Sequence, residues 1–253
     1  MKICIYANCQ SIGIKKFLQT KLDKASEIVT ILNYEKLINQ TELEYNVISK
    51  CDLFIYQHIS KAHGIYSTDF NIKGSVVNYL RQDCMKIAVP FVYDSSLWSM
   101  FEEGDNIINK EVIIDLKNNG YSLCKIIDMY NKFELDFRYK ARSVDSKATL
   151  KEKEKICDIK VIDFINEELG NLKLFLTQNH PTSAIFTCMV NQILNLIGIQ
   201  GDLNYKNFDE NYSKLPGVYK HNKYDIKYWN FKYATECDGD EWTKELIKKI
   251  YES

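Results

Sequence analysis

The sequence predicts an α/β fold, a mostly parallel sheet flanked by helices, with a helical insertion over residues 105–170. Three observations carry that prediction. Short runs rich in β-branched and apolar residues recur along the 253-residue chain. Segments with apolar residues at helical spacing stand between them, and no internal repeat or low-complexity linker interrupts the alternation. One domain over residues 1–253 is therefore expected, rather than two.

The first run covers residues 2–6. After a polar turn, Ile12, Ile14, Phe17, Leu18 and Leu22 recur at helical spacing, so a strand feeds a helix over residues 11–22. Residues 27–32, 52–57, 85–89 and 173–177 read as four further strands. Residues 76–81 read as a helix. So do residues 183–197, where Ile185, Met189, Ile193, Leu196 and Ile197 share one apolar side. Strand signals lapse over residues 111–170, where 112–116, 123–133 and 151–169 carry helical periodicity; this is the predicted insertion between the fourth and fifth strands. The mixed-sign run over residues 151–155 reads as a solvated helix face. Residues 201–253 are rich in Tyr, Phe and Trp interleaved with Lys. Such a segment either packs on the domain or offers a stacking surface, and packing is the expected reading. A final helix over residues 241–251 is expected to dock back on the core.

Composition narrows the function classes. The chain has 45% hydrophobic and 26% charged residues, and 33 Lys+Arg against 34 Asp+Glu leave a formal net charge of -1. Only Arg81, Arg138 and Arg142 supply guanidinium groups. Nucleic-acid binders need a cationic surplus, so a nucleic-acid partner is not expected. Apolar runs are too short or interrupted to span a bilayer, and the N-terminus reaches Asn8 and Gln10 too soon for a secretory h-region. A cytoplasmic location without a transmembrane segment is expected. Eight cysteines are scattered without a CxxC pair or metal-ligand spacing, so most should be buried free thiols and no metal is expected.

In a parallel α/β sheet, ligands bind beyond the carboxyl ends of the strands, where loops converge and helix N-termini project positive potential. The predicted strands end at Asn8-Cys9-Gln10-Ser11, at Gln57-His58, at Pro90-Phe91 and at Gln178-Asn179-His180-Pro181-Thr182. Cys9 falls at the start of a helix, where free amides and the dipole would lower a thiol pKa. Those amides and the Asn8 carboxamide could hold an oxyanion. His180 lies in a strand-to-helix loop with Asn179 as a plausible cap, placed to take a proton from a thiol or hydroxyl. Each residue also has a bland reading: Cys9 as a small residue in a tight turn, His180 as a ring bonded to a loop carbonyl. His58, His63 and His221 are weaker candidates, and of these only His58 shares the predicted edge.

Asn8-Cys9-Gln10 after an N-terminal strand, Gln57 ending residues 52–57, and Asn179-His180-Pro181-Thr182 before a helix together resemble the WcbI family of capsular polysaccharide biosynthesis proteins. The resemblance runs in order over about residues 1–220 and includes a late Leu215-Pro216-Gly217-Val218-Tyr219 turn. It implies a fold related to SGNH hydrolases, CoA binding and acetyltransferase activity. By that likeness Cys9 stands at the nucleophile position and His180 at the catalytic histidine. This chain has Ala7 where the family usually has Gly. It also has Thr177 where SGNH enzymes have an Asp three residues before the His, so the acid that would orient His180 is either missing or comes from elsewhere.

The expected function is therefore a CoA-dependent acyltransferase, an O-acetyltransferase acting on a sugar hydroxyl in capsular or other surface polysaccharide synthesis. Cys9, His180 and Asn8 are its candidate catalytic residues. In a ping-pong version Cys9 takes the acyl group; in a direct version His180 deprotonates the acceptor while acetyl-CoA is bound. Gln10, Ser11, Lys15, Gln57, His58, Asn179 and Thr182 are candidates for binding CoA or the acceptor, with Arg81, Arg138 and Arg142 for the 3′-phosphate. Expected partners are an acyl donor, a sugar or glycan acceptor and the capsule-assembly machinery. Two rival readings remain open: an esterase or hydrolase with a Cys nucleophile, and a non-catalytic CoA- or glycan-binding subunit.

Overall fold

Four of the five predicted strands form one parallel sheet in the computed structural model, which describes residues 1–234 and 237–253. These are β1 (Lys2–Ala7), β2 (Glu27–Leu32), β3 (Leu53–Tyr56) and β4 (Met85–Ala88), in the order β2-β1-β3-β4. Alternate side chains bury into opposite layers. Ile3, Ile5, Leu53, Ile55 and Ile87 enter one apolar cluster, whereas Cys4, Tyr6, Phe54, Tyr56 and Ala88 enter another. Burial on both faces explains why these strands read as continuous apolar runs rather than alternating ones. The chain goes from β1 to β2 on one side and then returns to place β3 on the other. A crevice opens between β1 and β3 at such a reversal.

The first cluster is capped by α1 (Gln10–Leu18) and α8 (Ser183–Leu196), which realise the helices predicted over residues 11–22 and 183–197. Close approach of the two requires Gly13, because a Cβ there would stand 2.5 Å from the Phe186 ring. Phe186 cannot easily yield: it is fully buried, with Phe17 at 6.0 Å and Tyr212 at 5.1 Å between ring centroids.

The structure corrects several sequence expectations. Residues 173–177 do not extend the main sheet; β7 (Phe175–Thr177) instead pairs antiparallel with β8 (His180–Pro181). The Pro181 ring and a bulge suit a short local hairpin better than a central strand. Residues 76–79 form a single 3₁₀ turn rather than a longer helix. The periodicity over residues 151–169 spans two helices, α6 (Tyr139–Glu154) and α7 (Ile162–Glu168), broken where Glu154 Oε1 accepts from Val161 N at 2.5 Å and Ile162 N at 2.9 Å. A hairpin, β5 (Phe101–Glu103) with β6 (Asn106–Ile108), carried no strand signal because each arm is only 3 residues long.

Residues 111–168 are otherwise helical, with α4 (Glu111–Asn118) and α5 (Leu123–Asn131) preceding α6. The terminal helix α10 (Asp240–Glu252) docks on α4 and α5 through Leu246, Ile247 and Ile250, not on the sheet. Two short helices, α2 (Asn33–Asn39) and α3 (Tyr45–Ile48), follow β2, and α9 (Lys223–Trp229) opens with a capping box between Asn222 and Asp225. The C-terminal aromatics pack: Tyr212, Tyr224 and Phe231 are buried, and Tyr219 meets Trp98 edge-on at 5.3 Å. Among the described residues no helix is long and apolar enough to cross a membrane. All eight cysteines are free; four are buried, Cys9 and Cys188 are half-buried, and Cys124 and Cys237 are exposed.

Candidate active site

A cleft of about 910 Å³ opens beyond the carboxyl ends of the strands, and Asn8, Cys9, Gln57, His58, Asn179 and His180 all line it. The edges are tied together by Gln10, which is 1% exposed. Its Nε2 donates to Val92 O at 2.6 Å and Asn179 O at 2.9 Å; its Oε1 accepts from Gln57 Nε2 at 3.1 Å and Val92 N at 3.2 Å. Gln57 Oε1 in turn accepts from Asn8 N at 3.0 Å. Two carboxamides thus stitch the ends of β1 and β3 to the β4 loop and to the β7–β8 hairpin, satisfying backbone groups that the end of the sheet leaves free.

Cys9 is the residue before α1, with helical backbone angles of φ -52° and ψ -22°. Ala7, where the family usually has Gly, is accommodated without strain, since no residue of this turn has a positive φ. Burial pushes the Cys9 thiol above its ordinary range, outweighing the Cys9 and Gln10 backbone amides that pull it down. This corrects the expectation of a lowered thiol: desolvation of the thiolate exceeds what the helix start returns. Asn8 Oδ1 accepts from Gln10 N at 3.0 Å, which leaves its Nδ2 without a hydrogen bond to the described residues.

His180 is half-buried, and burial lowers its pKa below the ordinary histidine value, favouring the neutral ring. Its Nδ1 lies 2.7 Å from Thr177 Oγ1, and Thr177 Oγ1 donates to Asn179 Oδ1 at 3.1 Å. Thr177 thus occupies the place where an acid was missing from the sequence pattern. The remaining wall carries Phe91, Tyr93 and Tyr219, three further carboxylates from Glu35, Glu102 and Glu103, and His63. Neither Lys nor Arg is among the described residues that line the cleft. Among the described residues no group of three or more His, Cys, Asp or Glu is placed to hold a metal ion.

The profile of the family described as polysaccharide biosynthesis enzyme WcbI matches residues 2–202. The chain belongs to the WcbI family. A solved structure of WcbI, described as a novel polysaccharide biosynthesis enzyme, covers 99% of this chain and 93% of its own at 16% identity, with a TM-score of 0.57. It is the native protein without a disulfide bond between CoA and one of its cysteines. That likeness shows a common fold. No curated protein matches the chain in sequence.

In this WcbI-family protein the other predicted binding residues do not reach the cleft. Gln10 spends its whole carboxamide on the internal bonds above. Ser11 is fully buried with its Oγ unpartnered among the described residues, and Thr182 Oγ1 donates to Lys173 O at 2.8 Å. Lys15 sits half-buried on α1 beyond the cleft wall. Arg81 is at the opposite edge of the sheet, paired with Asp83 at 2.9 Å and Asp52 at 3.3 Å. Arg138 lies 3.5 Å from Asp115 and lines a different cavity, of about 940 Å³, between the α5–α6 connection and α9. Arg142 is an internal strut whose guanidinium donates to the carbonyls of Trp98 at 2.9 Å, Ser99 at 3.1 Å and Ser95. All three arginines thus have internal or local partners and stand away from the cleft. Glu35, Tyr93, Glu102 and Glu103 line the cleft unforeseen, and His63, a weaker candidate, joins them; the strand-edge rule reached Phe91 and the family resemblance reached the turn over residues 215–219, but neither reached these side chains.

Proposed function

We propose that this WcbI-family protein transfers an acyl group, with acetyl as the first candidate, from CoA to a sugar or glycan hydroxyl during assembly of capsular or other surface polysaccharide. The observation that carries the reading is the convergence of a half-buried thiol, a neutral histidine and a free carboxamide donor in one cleft at the sheet's carboxyl edge. Family membership and the CoA named with the solved WcbI structure support it. The cleft suits the neutral pantetheine arm. With neither Lys nor Arg on its described wall, the phosphates would stay at the rim, where Ser60 and His63 offer donors; His58 Nε2 already donates to Ile156 O at 2.8 Å.

The two pKa directions favour direct transfer. His180 Nε2 removes the acceptor's proton as its oxygen attacks the thioester carbonyl, and Asn8 Nδ2 donates to the developing oxyanion. The intermediate then expels CoA as a thiolate, which takes the proton back from Nε2. Cys9, protonated at neutral pH, shapes the pocket beside the thioester. The helix-start amides facing its sulfur favour a second reading, in which His180 first deprotonates Cys9 and an acyl-enzyme forms.

Intact-mass analysis after incubation with acetyl-CoA, alongside a binding isotherm, tests the proposal. Binding without an adduct, with turnover on adding an acceptor that is lost in His180→Ala, is the expected result. An acetyl adduct absent from Cys9→Ala would establish the second reading. Failure to bind CoA at all would overturn both.

A further inference from the structure

We infer that the Thr177 hydroxyl, anchored on Asn179, holds the His180 ring as the Nδ1–H tautomer and leaves Nε2 as a proton acceptor. The significance of this for catalysis rests on the reading of His180 as the base. Thr177 is a positioning residue: it acts through His180 and does not touch the substrate.

A threonine hydroxyl has one hydrogen to give. Asn179 Oδ1, at 3.1 Å, can only accept, and Thr177 Oγ1 lies 2.7 Å from His180 Nδ1; both contacts are hydrogen bonds at once only when the hydroxyl donates to Asn179 and Nδ1 carries the ring's hydrogen. Backbone geometry fixes the arrangement, because Thr177 and His180 are paired across the β7–β8 hairpin. Gln10 Nε2 holds the Asn179 carbonyl at 2.9 Å, pinning the hairpin turn between them. Thr177 is only 6% exposed, which leaves water little room to substitute for either bond. His180 Nε2 makes no hydrogen bond with the described residues. A free imidazole prefers the opposite tautomer, with hydrogen on Nε2, so the protein must supply a partner for Nδ1–H if Nε2 is to accept.

A carboxylate in the same place would also fix the tautomer, but it would stabilise the imidazolium as well. A neutral hydroxyl fixes the ring without that charge. Burial is the cause that moves the His180 pKa, and it moves it down, so the ring is ready to accept a proton over a wider acidic range.

Imidazole nitrogen NMR on protein labelled with ¹⁵N-histidine, with His180 assigned by its loss in His180→Gln, tests this without any acyl donor. The expected spectrum shows a protonated Nδ1 and a bare Nε2. Thr177→Val is expected to shift the population towards Nε2–H and, with an acceptor at hand, to lower kcat at least about tenfold with KM little changed; Thr177→Ser restores both. Asn179→Ala offers a separate route at a more exposed position: it frees the Thr177 hydrogen to donate to Nδ1, and the tautomer should flip. Thr177→Asp should raise the His180 titration midpoint. A wild-type ring already in the Nε2–H form, or one unmoved by both Thr177→Val and Asn179→Ala, would overturn the inference. A correct tautomer in a protein without turnover would instead count against the acyltransfer reading alone.

Discussion

Replacing Gln10 by leucine removes four hydrogen bonds at one stroke while keeping the side-chain volume close to native. Nε2 no longer reaches Val92 O or Asn179 O, and Oε1 no longer receives Gln57 Nε2 or Val92 N. A net contribution of about 1 kcal/mol per bond gives a loss of about 4 kcal/mol, and partners left buried and unpaired would raise it. Against a total stability of about 5–15 kcal/mol, that is a large fraction. With an m-value of about 2–3 kcal/mol/M, the urea midpoint should fall by roughly 1.3–2 M. Tryptophan fluorescence reports the transition, since Trp98 is fully buried in the cluster that Gln10 overlies. Gln19→Leu, at an exposed position just past the same helix, serves as the neutral control. A Gln10→Leu midpoint within about 0.3 M of wild type would show that the carboxamide does not hold the strand ends together.

Two other outcomes follow from the packing and the burial of the site. Gly13→Ala should cost about 1–3 kcal/mol in the same unfolding assay, because the added methyl meets the immobile Phe186 ring; an unchanged midpoint would mean that α1 and α8 can part freely. In thiol-reagent kinetics at neutral pH, the exposed Cys124 and Cys237 should react before Cys9. The Cys9 rate should go on rising with pH beyond the range of an ordinary cysteine, because burial raises the pH at which its thiolate forms. A fast neutral-pH reaction that disappears in Cys9→Ala would contradict the raised thiol.

The main sheet was legible because both of its faces are buried, so Ile3, Ile5, Phe54 and Ile55 stand in unbroken apolar runs. The same periodicity failed at residues 173–177, where apolar burial is real but the hydrogen-bonding partner is the local β8 segment. At the site, Asn8, Cys9, Gln57, His58, Asn179 and His180 could be found from one rule, that polar residues at the carboxyl ends of parallel strands converge. The arginines could not be placed this way. Whether Arg142 meets a ligand or a ring of carbonyls depends on where residues 95–99 fold, and nothing local to position 142 records that. Gln10 shows the same limit from the other side, since a polar residue at the right edge turned inward to serve the backbone. Thr177 was visible only as a departure from an expected acid; its function as a hydrogen-bond partner emerged once the hairpin brought it opposite His180.

Lys249 Nζ pairs with Glu102 at 2.5 Å, whereas Glu35 and Glu103 meet no ammonium or guanidinium among the described residues, so these two carboxylates give the cleft a negative field. Most enzymes that handle phosphorylated ligands accelerate encounter with a positive one, and added salt slows them. Here the sign is reversed: an anionic ligand is repelled at range, and association should quicken as salt shortens the screening length towards about 10 Å at 0.1 M. The repulsion also sorts orientations. A molecule with an uncharged arm and an anionic tail lowers its energy by entering arm first, so the field itself decides which end of the ligand reaches the bottom of the cleft.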